Sequence, residues 1–107
     1  MRGLRRLSDQ TGYLCLGYGH LGDGNVHVNI LNVDKSDEEW QQDKDGLVGK
    51  IIKLGVDLGG TLTGEHGVGL TKKAYMDLYF TARDLEIMKG IKAQCDPNGI
   101  LNPSKII

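Results

Sequence analysis

The sequence predicts an α+β domain with a small antiparallel sheet and helices packed on one face, and three observations carry that expectation. A segment with a period of two follows a run of β-favouring residues across a glycine-rich turn. A long stretch of helical period starts at a capping box and stops at two glycines, and a second capping box opens another helix nearer the C-terminus.

The basic start, MRGLRR, lacks the apolar stretch of a secretory signal and is too short for an amphipathic transit peptide, so it reads as the exposed beginning of a helix. Residues 13–18 and 26–33 form two strands joined through the turn Gly22-Asp23-Gly24. In the second strand Val26, Val28 and Ile30 share one face, while His27 and Asn29 share the other; one face is core and the other can be a site.

Ser36 and Glu39 have capping-box spacing, and Trp40, Leu47, Ile51, Leu54 and Leu58 recur at helical intervals up to Gly59-Gly60. Gly46, Gly49 and Gly55 within that helix each cost up to about 1 kcal/mol relative to alanine, so packing, expected to be against the sheet, must maintain it. A short helix is expected over residues 71–80. Thr81 and Asp84 open another that runs to Cys95, before Pro97 and Gly99 end it and leave residues 100–107 extended.

Composition narrows the function classes. With 13 Lys and Arg against 14 Asp and Glu, no net field argues for nucleic acid or an anionic membrane as partner. The apolar runs around Leu14, Val28 and Ile51 are each broken within a few positions, far short of the roughly 18 residues a membrane span needs. Cys15 and Cys95 lie far apart and outside any CxxC spacing, which fits reduced thiols filling structure in a cytoplasmic compartment better than a disulfide framework.

Glycine is the informative residue. Sixteen in 107 is about twice the usual roughly 7%, and they cluster in two loops, residues 17–25 and 59–69, that hold His20 and His66 and, two residues past the first, lead into His27. Such loops form where the backbone must approach another group closely, so the pair points to a built site. Gly17 to Gly22 matches GxGxxG, but a dinucleotide site needs a helix opening at the third glycine and here a turn and a strand follow.

His20 and His27 flank a tight turn that can bring both imidazoles to one point, and Glu65 with His66 adds a carboxylate and a third imidazole from the second loop. Two histidines and one carboxylate with open positions is a common catalytic set for a divalent ion; the plainer alternative is a group of ordinary loop histidines, since no HxxxH or HxH spacing is present. His66 can serve as a general base, because imidazole titrates near neutrality, or can be a loop residue without chemistry. Asp23 reads as a turn former rather than a ligand. Lys72 and Lys73 either steer an anionic substrate or begin a solvated helix, and Ser104 and Thr81 have no partners at triad spacing.

GHLGDGNVHVNI, GTLTGEHGVGLTKKAYM and DPNGILNPSKII, in this order, resemble the C-terminal signatures of the FAD-linked oxidases of the vanillyl-alcohol oxidase type. That group includes D-lactate dehydrogenases, the flavin subunit of glycolate oxidase and D-2-hydroxyglutarate dehydrogenase. The resemblance extends over residues 20–107 and implies that residues 1–107 are the C-terminal segment of a larger substrate (cap) domain. It implies a flavin-dependent 2-hydroxy-acid dehydrogenase or oxidase, with FAD as cofactor and a divalent metal, assigned as zinc.

By the same resemblance His20, His27 and Glu65 are metal ligands, His66 takes the hydroxyl proton, Asn29 contacts the substrate carboxylate or hydroxyl, and Asn102 reaches the flavin. The family's flavin-binding domain and the first half of its substrate domain are outside these residues, so the implied partners are that domain, in cis or in trans, and a small 2-hydroxy acid. The implied compartment is the cytoplasm, or the mitochondrion in a eukaryote. A reading of another class is a non-enzymatic metal-binding or self-associating module: a sheet separated from its larger domain leaves open strand edges, so a homo-oligomer is also expected.

Overall fold

The computed structural model describes residues 1–107, the side chain of Leu21 apart. Helix α1 (Arg2–Thr11) leads into strand β1 (Leu14–His20), a 3-10 turn (Leu21–Asp23) and strand β2 (Asn25–Leu31); helix α2 (Asp37–Asp57), a 3-10 segment (Lys73–Leu78) and helix α3 (Ala82–Cys95) follow. The two strands pair antiparallel from Leu14 opposite Leu31 to His20 opposite Asn25. The expected α+β architecture with a small antiparallel sheet is what forms.

Alternation along the hairpin separates two faces. Cys15 and Gly17 face α1, whose Leu4 is buried and lies over Gly17, while Ser8 Oγ accepts a hydrogen bond from the Cys15 N–H at 2.8 Å. The opposite face presents Leu14, Leu16, Tyr18 and His20 from β1 and His27, Asn29 and Leu31 from β2. Its three leucines and Tyr18 are exposed.

The capping box at Ser36 and Glu39 forms as expected, with the Glu39 N–H donating to Ser36 Oγ and the Ser36 N–H donating to Glu39 Oε2. The expectation that α2 lies mainly on the sheet is corrected: its main partner is the 3-10 segment. The Tyr75 hydroxyl donates to the Asp45 carbonyl at 2.7 Å, and a Cβ on Gly49 would come within 3.2 Å of the Tyr75 ring. Glycine at position 49 is therefore selected by that close approach, and the penalty in helix propensity is offset by packing. Leu47 and Ile52 are the buried residues of α2, whereas Leu58, counted in the apolar stripe, follows the last helical turn and is exposed.

Ile52, Leu62 and Met76 form the main core, with Val48, Val56, Val68, Tyr75, Phe80, Leu85 and Met88 packed against it. This core joins α2, the second glycine loop, the 3-10 segment and α3. At the other end of α2, Tyr13 is buried, donates to Asp43 Oδ2 at 2.9 Å and packs against Trp40 and Lys35. Burial first, then the hydrogen bond to Asp43 and its charge, push the Tyr13 phenol up to about 12.

Two further expectations change. Residues 71–80 contain a 3-10 segment instead of an α-helix, and residues 100–107 are not extended. Asn102, Ser104 and Ile106 adopt positive φ, at 47°, 63° and 66°, and the Lys105 N–H donates to the Asn102 carbonyl. The turn is fastened from both sides: the buried Asp96 carboxylate accepts the Ile100 and Leu101 N–H groups and pairs with Lys92, and the Ile106 N–H donates to the Gly69 carbonyl. Both cysteines are free, Cys15 buried and Cys95 exposed, so only Cys15 fills the interior.

Candidate metal and substrate site

The hairpin delivers two imidazoles to one face. His27 stands opposite Tyr18 in the ladder, and His20 closes β1 beside the 3-10 turn. Glu65 comes from the second glycine loop, which is anchored in the core by Leu62 on one side and Val68 on the other. Between those anchors residues 63–67 have no regular structure and are placed by side chains. Thr61 Oγ1 donates to the Thr63 carbonyl at 2.8 Å, and Lys72 Nζ donates to Thr63 Oγ1 at 2.9 Å. A Cβ on Gly64 would overlap the Asn25 side chain, so glycine at this position is what lets the loop lie against the start of β2.

The result is a convergence of the expected groups. Glu65 Oε1 lies 2.8 Å from His27 Nε2 and 4.0 Å from His20 Nε2, and one ligand atom from each of the three lies within 4.8 Å of the others. Two donors about 2.0–2.1 Å from a tetrahedral zinc ion stand roughly 3.4 Å apart, so spacings of 2.8 and 4.0 Å bracket what one ion requires. The donor chemistry also fits: two neutral imidazoles and a carboxylate hold a divalent ion and leave positions for water or substrate. The open side is toward solvent, with the His20 side chain 60% and Glu65 47% exposed against 20% for His27.

His66 stands beside the trio. Its Nε2 lies 3.7 Å from Glu65 Oε1, and its ring is 5.1 Å from that of His27. Asn29 is two residues along β2 from His27, on the same face and exposed, which places it about 7 Å further along the strand. Asn102 is not drawn into this group by any hydrogen bond or ion pair among the described residues. The bond from the Ile106 N–H to Gly69 does bring its segment back to the end of the second glycine loop.

Two contributors, Tyr18 and Asn25, carry no signal singled out in the sequence, and a third, Lys72, takes a role the sequence did not suggest. Tyr18 stacks on the His27 ring, Asn25 fills the space facing Gly64, and Lys72 reaches back to Thr63. Lys72 thus stands at a helix start, as the N-cap of the 3-10 segment, with its ammonium bonded to the loop and not left to solvent alone. Lys73 likewise donates to the Ser104 carbonyl at 3.0 Å, holding the C-terminal turn. The signal for Tyr18 was available, since a tight turn between residues 20 and 25 fixes a register in which positions 18 and 27 pair.

Comparison with known proteins decides the family. The profile described as "FAD linked oxidases, C-terminal domain" matches residues 1–106. The chain belongs to that family. It is 42% identical over 90 residues, 83% of its length, to D-2-hydroxyglutarate dehydrogenase of Stutzerimonas stutzeri (strain A1501), covering 19% of that protein. It is 39% identical to the mitochondrial D-lactate dehydrogenase [cytochrome] of Arabidopsis thaliana over 92% of the chain and 17% of the relative. With the glycolate oxidase subunit GlcD of Escherichia coli (strain K12) it shares 37% identity over 100% of the chain and 21% of the relative. The chain therefore spans about a fifth of the length of these relatives. Among the described residues, no helix is long and apolar enough to cross a membrane.

Proposed function

We propose that this chain forms the metal-binding wall of the active site of a flavin-dependent 2-hydroxy-acid dehydrogenase or oxidase, which converts a D-lactate, glycolate or D-2-hydroxyglutarate type of substrate to the 2-oxo acid. The observation that carries the proposal is the convergence of His20, His27 and Glu65 on one point, from the hairpin and from the second glycine loop, which α2 separates in the chain. The names of the relatives support the substrate class. When bound, a divalent ion, zinc in this assignment, supplies Lewis-acid polarisation of the 2-hydroxyl, and the family's flavin supplies the acceptor for the C2 hydride.

The chain's own residues then have separate tasks. His20, His27 and Glu65 hold the ion and leave its solvent side open for the substrate oxygen. His66, exposed and beside Glu65, takes the hydroxyl proton on its imidazole. Asn29 offers its amide to the substrate carboxylate from the same face of β2, and Asn102 presents its side chain toward the flavin. The flavin-binding domain is a partner in cis or in trans, and the cytoplasm or mitochondrion is the compartment.

The test grafts residues 1–107 in place of the matching segment of the Stutzerimonas relative and follows flavin reduction in a single turnover. The graft should reduce its flavin on addition of D-2-hydroxyglutarate, D-lactate or glycolate. His66→Ala should slow that step about a hundredfold, the scale of a lost general base, with metal and flavin content unchanged. Equal rates in the two would remove His66 from the mechanism. Metal binding without flavin reduction would favour a metal-binding module with no redox role.

A further inference from the structure

The phenol ring of Tyr18 is placed where no core requirement puts it. It is 58% exposed, on the outer face of the hairpin, yet it lies nearly parallel to the His27 imidazole, with ring centroids 5.2 Å apart and planes 18° from each other. This is the offset-stacked arrangement that aromatic pairs favour, and the strand register imposes it, because Tyr18 and His27 are direct cross-strand partners. His66 lies against the same imidazole at 5.1 Å and 42°, and His20 meets it edge-on at 5.7 Å and 75°.

The imidazole that Tyr18 covers is also the best buried of the three candidate ligands and the one in closest contact with Glu65. A metal-ligating histidine is ordinarily oriented by a hydrogen bond from its second ring nitrogen to a carboxylate or carbonyl. Among the described residues, no such bond is made by His27 Nδ1. Rotation about the bond to the ring is soft for imidazole, so without a restraint Nε2 would swing away from Glu65.

We infer that Tyr18 is a positioning residue for the cluster, its ring fixing the plane of the His27 imidazole so that Nε2 stays directed at Glu65. This rests on the reading of His20, His27 and Glu65 as a metal site. The stacking face does the work, so the hydroxyl is dispensable. An aliphatic residue of similar size would cover the same strand position without holding the ring plane.

The test uses the 107-residue chain and three variants, Tyr18→Phe, Tyr18→Leu and Tyr18→Ala, with cobalt(II) as the probe ion followed by calorimetry and by its visible spectrum. Loss of an orienting neighbour typically weakens metal binding about 10–100-fold, so Tyr18→Ala and Tyr18→Leu should lose about tenfold or more. Tyr18→Phe should stay within about twofold of the parent, and the metal-free thermal midpoints should agree. Parental affinity in Tyr18→Ala, or a loss in Tyr18→Phe as large as in Tyr18→Ala, would overturn the assignment. A second measurement needs no metal: in proton NMR of the metal-free chain, contacts between the Tyr18 and His27 rings should fix one ring orientation, and that order should vanish in Tyr18→Leu. If the parent binds no cobalt but loses this order in Tyr18→Leu, the metal-site reading fails and the positioning role stands. If the ring is equally ordered in both, the positioning role fails.

Discussion

The two halves of the candidate site are held by different means. The hairpin carries His20 and His27 on a ladder of seven facing pairs, so backbone hydrogen bonds and the period of two fix where the imidazoles point. The loop that carries Glu65 and His66 has no ladder; Leu62 and Val68 tie its ends to the core, and Lys72, Thr61 and Asn25 shape what lies between. A backbone ladder tolerates side-chain substitution, whereas a side-chain scaffold does not. Substitutions remote from the ligands should therefore disturb the loop half of the site far more than the hairpin half.

The largest effect is expected at Leu62, which is buried and anchors the loop three residues before Glu65. Leu62→Ala should cost about 2–5 kcal/mol in denaturant unfolding, the usual range for a core leucine truncation. A loss well under 1 kcal/mol would mean that the loop is not fastened to the core at this point. Next comes Gly64→Ala, whose added methyl overlaps the Asn25 side chain and should cost roughly 1–3 kcal/mol. The comparison makes a sharper demand on the pair: Asn25→Ala should relieve most of that cost in the double variant, and additive losses would show that the two do not touch.

Smaller still is Lys72→Met, which keeps the apolar stem and removes the bond to Thr63; about 1–2 kcal/mol is expected, with no change in the hairpin's amide exchange. Slowed or hastened exchange in β1 and β2 would break the distinction between the halves. The smallest effect lies outside the site, at Tyr13. Its folded-state pKa is raised from 10.0 to about 12, so its contribution to stability is fully present below pH 10 and is lost as pH rises toward 12. Tyr13→Phe should abolish that part of the alkaline decline while leaving the neutral-pH fold intact, as followed by circular dichroism across the same pH range.

The same contrast explains what could be read in the sequence. Alternation in residues 26–30 and the two capping boxes report local backbone preferences, and the hairpin, α2 and α3 follow them closely. The glycine clusters and the histidines in and beside them pointed to a built site, and the structure brings His20, His27, Glu65 and His66 together. Tertiary choices were hidden. Nothing periodic told that α2 would turn toward Tyr75 instead of the sheet, that Lys72 would reach back nine positions to Thr63, or that residues after Pro97 would fold over Asp96 into a turn. Those outcomes depend on long side chains finding single partners, a kind of contact that leaves no repeat in the sequence.

Zinc titration of the chain by calorimetry tests directly whether hairpin and loop make one metal site. The parent should bind one ion per chain. Glu65→Gln, which keeps the shape of the loop but removes a charged ligand, should weaken binding by about a hundredfold or more, at or beyond the 10–100-fold scale of losses from outer-shell neighbours. His27→Ala should do the same from the other half, with circular dichroism unchanged in both. Binding of the same stoichiometry and affinity in Glu65→Gln would rule out a shared site, since the ion would then be held by the hairpin without the loop.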